Sequence, residues 1–248
     1  MSERSSSQAR IRSVIPLLDT LLRIRQDMRG RTVGPYLYIG IPDVEWMVCF
    51  IGGYDECLDS FGIEPGTDAL FRDWLRDVKK AWPGQGWERA YLEEFQGDQV
   101  RALLKYLDFV AEFRALPPEA LASMPWPYGG EHPTVRKPSW TPVRPPKPTL
   151  DMLLEIRREI GDVRGRLGLF IGDVEVRRMA GFIDGYRLCL ALAGRRDEEY
   201  SRFERWLQEV KALPAGQEWP GPYLAACQGD SEQAIRRLLA EVAEFRSV

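Results

Sequence analysis

Histidine occurs once in the 248 residues, at His132 beside Pro133. A histidine-based nucleophile triad, a multi-histidine metal site and an imidazole proton shuttle all need more than that, so none is expected in the rest of the chain. Cys49, Cys57, Cys189 and Cys227 show no Cys-x-x-Cys spacing and sit inside apolar segments, where a buried thiol is the ordinary occupant. Such cysteines favour the reducing cytosol. No P-loop, glycine-rich phosphate cradle, Gly-x-Ser-x-Gly elbow or EF-hand loop is present. Glu64-Pro65-Gly66-Thr67-Asp68 places two acids around a glycine, but it reads as a turn ahead of a helix rather than as metal ligands. No catalytic residue, metal or cofactor is expected, and the chain reads as a non-enzyme.

The strongest signal is internal. Shifted by 132 positions, residues 17–116 align with 149–248 without a gap, and 38 of the 100 pairs are identical. Phe50-Ile51-Gly52-Gly53-Tyr54 answers Phe182-Ile183-Asp184-Gly185-Tyr186, and Gln96-Gly97-Asp98 answers Gln228-Gly229-Asp230. Phe71, Trp74, Leu75, Val78 and Lys79 return as Phe203, Trp206, Leu207, Val210 and Lys211. So long a period marks a duplicated domain rather than a solenoid. Residues 117–148 have no counterpart and carry ten prolines, which favours an extended, semi-rigid strap, with Trp126, Tyr128 and Trp140 packed on a surface.

The elements that would position any site are helices. The expectation is all-α: two tandem homologous helical-bundle units of four to five helices each, joined by the proline-rich linker. Residues 1–13 form a disordered lead-in, 14–116 the first unit, 117–148 the linker and 149–248 the second unit. In the first unit, apolar residues at helical spacing predict helices over about 15–29, from Pro42 past Leu58, over 69–80, over 87–95 and from Asp98 to Arg114. The second unit repeats them, its second helix starting near Asp173, with 200–211, 219–227 and a last helix from Asp230. Gly34–Ile41 has room for a short extended piece. Gly53 and Gly185 sit mid-helix, where glycine costs about 1 kcal/mol, so a close helix crossing is expected there. Repeated polar residues such as Arg25/Arg157, Lys79/Lys211 and Arg114/Arg246 read as folding elements, the helix-one arginine pairing with a glutamate of the last helix.

Differences between the copies point to partners. Lys+Arg total 34 against 37 Asp+Glu, a net charge of −3, which gives no overall attraction to nucleic acid or anionic membrane. Apolar runs are too short to span a bilayer as a helix, so a soluble, cytoplasmic protein is expected. Asp55, Glu56, Asp59, Glu64, Asp68, Asp73 and Asp77 concentrate in the second and third helices of the first unit. Their counterparts are Arg187, Leu188, Ala191, Arg196, Tyr200, Arg205 and Glu209. Those seven acids are the candidate partner-binding surface, suited to a basic protein face. The basic spots at Arg23, Arg25, Arg29 and Arg31 and at Arg164, Arg166, Arg177 and Arg178 lack interleaved aromatics, so nucleic acid is not the expected partner.

The unit pattern runs Ile-Gly, Phe-Ile-x-Gly-Tyr, Phe-x-x-Trp-Leu, Trp and a closing Glu-Phe-Arg helix. It resembles small, uncharacterised bacterial helical proteins of the toxin-immunity type. That resemblance implies a bacterial, cytosolic immunity protein that neutralises a toxin domain by covering its surface, with the acidic face or the groove between copies as the contact. Such proteins are commonly single units, so doubling leaves room for one copy to serve as scaffold. The alternative expectation is a structural or adaptor subunit of a larger assembly.

Overall fold

Pro16 precedes the first helix and carries the φ of −57° that proline fixes, after which Leu17, Leu18, Leu21 and Ile24 line a buried stripe. The computed structural model describes residues 15–30, 43–63, 66–84, 86–129, 131–134, 140–161, 163, 166–214 and 218–247. Among them the chain is all-helical, with no strand. The first half holds α1 (Leu17–Arg29), α2 (Val44–Ser60), α3 (Gly66–Asp73), α4 (Trp87–Glu94) and α5 (Gln99–Arg114), then α6 (Pro118–Ala122). The second half holds α7 (Thr149–Ile160), α8 (Gly168–Ile171), α9 (Val176–Leu192), α10 (Glu198–Glu209), α11 (Pro220–Ala226) and α12 (Ser231–Ser247). No helix of the described residues is long and apolar enough to cross a membrane.

Local chemistry sets the helix ends. Asp43 accepts from the amides of Glu45 and Trp46 at 2.9 and 3.0 Å, Asp98 from Arg101 at 3.0 Å, and Asp230 from Gln233 at 2.9 Å. Each carboxylate satisfies amides that the first helical turn leaves without partners, worth about 1 kcal/mol apiece. Backbone detail recurs at the 132-residue offset. Lys80 and Ala212 take φ of 54° and 55°, and Gln96 and Gln228 take 53° and 55°, left-handed values uncommon outside glycine.

Several bounds differ from those predicted. The second helix of the first half follows Asp43, while the predicted start at Pro42 and the extended piece at 34–41 lie outside the described residues, as does the lead-in at 1–13. In the second half α9 begins at Val176, not Asp173, because α8 ends at Gly172 with φ of 70° and the chain turns before it can rewind. α3 starts earlier than predicted and runs on as a π-helical turn over Trp74–Val78, with the amide of Lys79 reaching the Trp74 carbonyl at 3.0 Å. Its counterpart α10 stays α-helical to Glu209.

α2 and α9 form the centre of the molecule and run side by side. A Cβ on Gly53 would lie 1.9 Å from the Phe182 carbonyl oxygen, one on Gly185 1.9 Å from that of Phe50, and one on Gly181 2.2 Å from that of Trp46. Trp46 to Phe50 and Gly181 to Gly185 advance together by four residues, so the two helices run in the same direction. The Gly53 and Gly185 contacts are reciprocal. Glycine is required there because any side chain would drive into backbone of the opposite helix.

The described residues between α5 and α7 touch both halves. Trp126 packs beside Gly66, the Tyr128 hydroxyl donates to Asp73 at 2.9 Å, and the amide of Val143 donates to the Phe61 carbonyl at 2.9 Å. The Arg144 guanidinium donates to the carbonyls of Ser60 and Asp59 at 3.0 and 2.7 Å. Tyr186 donates to the Lys147 carbonyl at 2.7 Å, just as Tyr54 donates to that of Ile15. α6 interrupts the expected extended run, since Pro118 occupies the first helical turn, where its missing amide hydrogen costs nothing.

Candidate partner-binding surface

Three of the repeated polar pairs are tied into ion pairs within each half, whereas the helix-one arginine is paired at Arg25 and, among the described residues, not at Arg157. Lys79 pairs with Glu112 and Lys211 with Glu244, Arg114 with Asp19, and Arg246 with both Asp151 and Glu199. Arg25 pairs at 2.7 Å with Asp108 of α5, an aspartate where a glutamate was expected; the residue corresponding to Asp108 in α12 is Ala240. The arginine pairs join α1 to α5 and α7 and α10 to α12, and Lys79 and Lys211, just past the π turn and α10, reach α5 and α12.

The seven candidate acids do not make one solvated face. Glu56 and Asp59 project from α2 into solvent, Asp59 with 80 % of its side chain exposed. Asp77 is exposed and accepts two hydrogen bonds from Arg76, which hold its carboxyl below the usual aspartate range. Glu64 lies outside the described residues. The other three turn inward, which corrects their placement on an exposed patch. Asp73 is 8 % exposed, pairs with Arg76 at 2.7 Å and accepts from Tyr128 of the linker. Asp68 is 4 % exposed, and among the described residues neither of its carboxylate oxygens has a hydrogen-bond partner. Burial pushes its carboxyl well above the normal range, and the neighbouring Asp55 adds to this against Arg72 and Arg114. Asp55 is itself pushed up to about 6 by burial, opposed by Arg72. Acids on amphipathic helices read as outward-facing, but Asp55 lies on α2, which α9 and the rest of its own half enclose, and Asp68 and Asp73 lie on the buried side of α3.

At the equivalent place the second half carries the opposite polarity. Arg187 replaces Asp55 and Glu204 replaces Arg72, and the two pair at 3.0 Å. Tyr200 replaces Asp68, with the Arg187 guanidinium 4.0 Å from its ring centroid, a cation–π contact. The charge exchange between α2/α3 and α9/α10 is thus compensated, except at Asp68.

The expected groove between the copies is filled. The Trp46 indole donates to Asp184 at 3.0 Å, Arg177 pairs with Asp43 at 3.0 Å, and Arg89 pairs with Asp173 at 2.6 Å. Arg178, 4 % exposed, lies 3.7 Å from Glu88 and donates to the Ile171 carbonyl at 3.3 Å. The Cys49 thiol donates to the same carbonyl at 3.4 Å, and burial raises its pKa to about 12, so it stays protonated and unreactive at neutral pH. Burial likewise raises the Asp184 carboxyl to about 6, against the Trp46 hydrogen bond. Among the described residues no cluster of three or more His, Cys, Asp or Glu could hold a metal.

The sequence reading missed a cavity of about 350 Å³ in the second half, lined by Glu199, Arg202, Trp206, Phe245 and Arg246. Its signal was the change from Leu70 and Asp73 to Arg202 and Arg205 beside the kept Phe71/Phe203, Trp74/Trp206 and Leu75/Leu207. A scan against protein-family models and searches of curated proteins and of solved structures found no match.

Proposed function

We propose that the chain is a protein-binding module built from two tandem homologous bundles joined by a proline-rich linker, and that it acts as a bacterial immunity protein covering the surface of a toxin. One observation carries the reading: most apolar residues kept at the 132-residue offset are core side chains, Val78/Val210 being an exposed exception, and Lys79/Lys211, Glu112/Glu244 and Arg114/Arg246 are held in internal ion pairs, whereas outward positions such as Glu56 and Asp59 have changed. Selection that holds an interior and releases its faces fits surface recognition better than chemistry, which would tie polar residues to a shared cleft. The four buried free thiols suit a reducing cytosol. Glu56, Asp59 and Asp77 remain as the acidic contact surface for a basic partner.

The test is co-purification with the product of the adjacent gene, comparing the native chain with Glu56→Lys, Asp59→Lys and Asp77→Lys together. Those three are exposed, so reversal leaves the fold intact, and a loss of capture of about tenfold or more is expected. Undiminished capture would exclude this surface. A second reading, an adaptor subunit of a larger assembly, is favoured by the open cavity at Trp206. Size-exclusion chromatography of native extract separates the two, since a permanent subunit never elutes alone.

A further inference from the structure

The Trp206 cavity has a repeat-related twin that is already occupied. In the first half, Gly66, Leu70 and Asp73 fall at i, i+4 and i+7 on one face of α3, and the linker lies across that face. Pro133 would sit 2.9 Å from a Cβ on Gly66, Trp126 packs beside the same glycine, and the Tyr128 hydroxyl donates to Asp73. The Trp126 and Tyr128 rings stand 4.8 Å apart there. Beside this face Trp74 and Phe113 are only 3 % and 1 % exposed. In the second half the same face carries Glu198, Arg202 and Arg205, all exposed, and Trp206 and Phe245 are left half-buried around the cavity. Among the described residues nothing covers it.

The substitutions on this face define what would fit. Glu198 stands where glycine admits Pro133, and Arg205 stands where Asp73 accepts the tyrosine hydroxyl, so each removes one contact that this chain's own linker makes. A second copy's linker is therefore a poor occupant. Arg246 is neutralised by Asp151 and Glu199, whereas among the described residues neither Arg202 nor Arg205 belongs to an ion pair. An open face with two unpaired guanidinium groups beside an aromatic-walled hollow calls for a carboxylate and a ring.

We propose that this cavity docks an acidic, aromatic peptide segment of a partner protein, its ring against the exposed edges of the contacting Trp206 and Phe245 rings, 5.7 Å apart, and its carboxylate on Arg202 and Arg205. The site is separate from the acidic face of α2, and the proposal holds whether or not that face binds a toxin. The probe is a fluorescein-labelled peptide with the sequence of residues 116–134 carrying Tyr128→Glu, titrated into the full chain by fluorescence anisotropy. The unaltered sequence and a scrambled acidic version serve as comparisons. The acidic peptide is expected to bind about tenfold tighter than either comparison. Arg205→Asp, on the exposed face and remote from the core, should weaken it about tenfold and reverse the preference toward the unaltered sequence. Trp206→Ala should abolish binding while circular dichroism confirms the fold. Absence of saturable binding, equal affinity for the scrambled peptide, or indifference to Arg205→Asp would overturn the proposal. Tighter binding of the unaltered sequence would overturn it in favour of a second copy as occupant.

Discussion

Where the first half of the chain buries Asp55 and Asp68 beside Arg72, the second half sets Arg187 against Glu204 and lays the guanidinium over Tyr200. The five longer helices follow the same order and carry matching apolar stripes, although Trp74–Val78 is a π turn where α10 stays α-helical. The polarity of the pair is reversed, and one half keeps an acid with no partner among the described residues while the other keeps a tyrosine. Lateral helix contacts can therefore exchange sign freely if both members change together. What cannot drift is the seam itself, where Gly53 and Gly185 each meet opposing backbone. The comparison separates positions held by steric exclusion from positions held only by charge balance.

The largest effect is expected at the seam. Gly53→Ala or Gly185→Ala puts a methyl group 1.9 Å from a carbonyl oxygen that no rotamer change can move, so α2 and α9 must part. A loss of about 3 kcal/mol or more is expected, read as a fall in the denaturation midpoint. Gly52→Ala is the control, because its Cβ meets only the Phe182 ring at 3.9 Å. That substitution should gain about 0.5–1 kcal/mol from the lower entropy cost of alanine in a helix. Equal behaviour of Gly52 and Gly53 would break the account of the seam.

Next in size is the unmatched acid. Asp55 has its folded pKa raised to about 6 from 3.8, and that of Asp68 is raised as well. A raised carboxyl binds protons more readily folded than unfolded. Stability is then greatest below the unfolded value and falls as pH rises through about 6, with Asp184 acting in the same direction. Urea denaturation at pH 5 and pH 7.5 should show the native chain more stable at the lower pH, by on the order of 2 kcal/mol. Asp68→Asn should raise the pH 7.5 value and shrink the difference, leaving the Asp55 and Asp184 shares. A native chain more stable at pH 7.5 would show that Asp55 and Asp68 are not buried together.

The smallest effect tests the exchange of sign. Arg187→Asp alone loses the 3.0 Å pair and the contact with Tyr200, and sets a carboxylate beside Glu204, at a cost of about 1–2 kcal/mol. Adding Glu204→Arg, which reproduces the Asp55/Arg72 polarity, should recover about half, since the cation–π contact is not rebuilt. A double-mutant cycle with no coupling between the two positions would remove the charge-balance explanation.

Much of the helical plan is legible in the sequence because it depends on spacing alone. Leu18, Leu21 and Ile24 repeat as Leu150, Leu153 and Ile156, and aspartates stand at the helix starts they cap. The glycines at 53 and 185 announce a close crossing by their cost. The inward turn of Asp55, Asp68 and Asp73 was not legible. An acid on an amphipathic helix looks outward unless one knows what packs over it: Asp68 is enclosed with Asp55, Arg72, Arg114 and Asp19 of its own half, and Tyr128 reaches Asp73 from 55 residues away. The cavity at Trp206 was hidden for the converse reason. Its aromatic residues match Trp74 and Phe113, which are buried, and only the absence of cover over one copy opens it.

The reciprocal fit of α2 and α9 has a consequence for stoichiometry. A self-complementary surface that meets its own likeness is used up by one encounter, so it closes instead of growing into a filament. Between separate chains such an encounter would weaken on dilution. Carried on one polypeptide, it is intramolecular and indifferent to concentration, so each molecule presents two unlike outer faces in a fixed ratio of one to one.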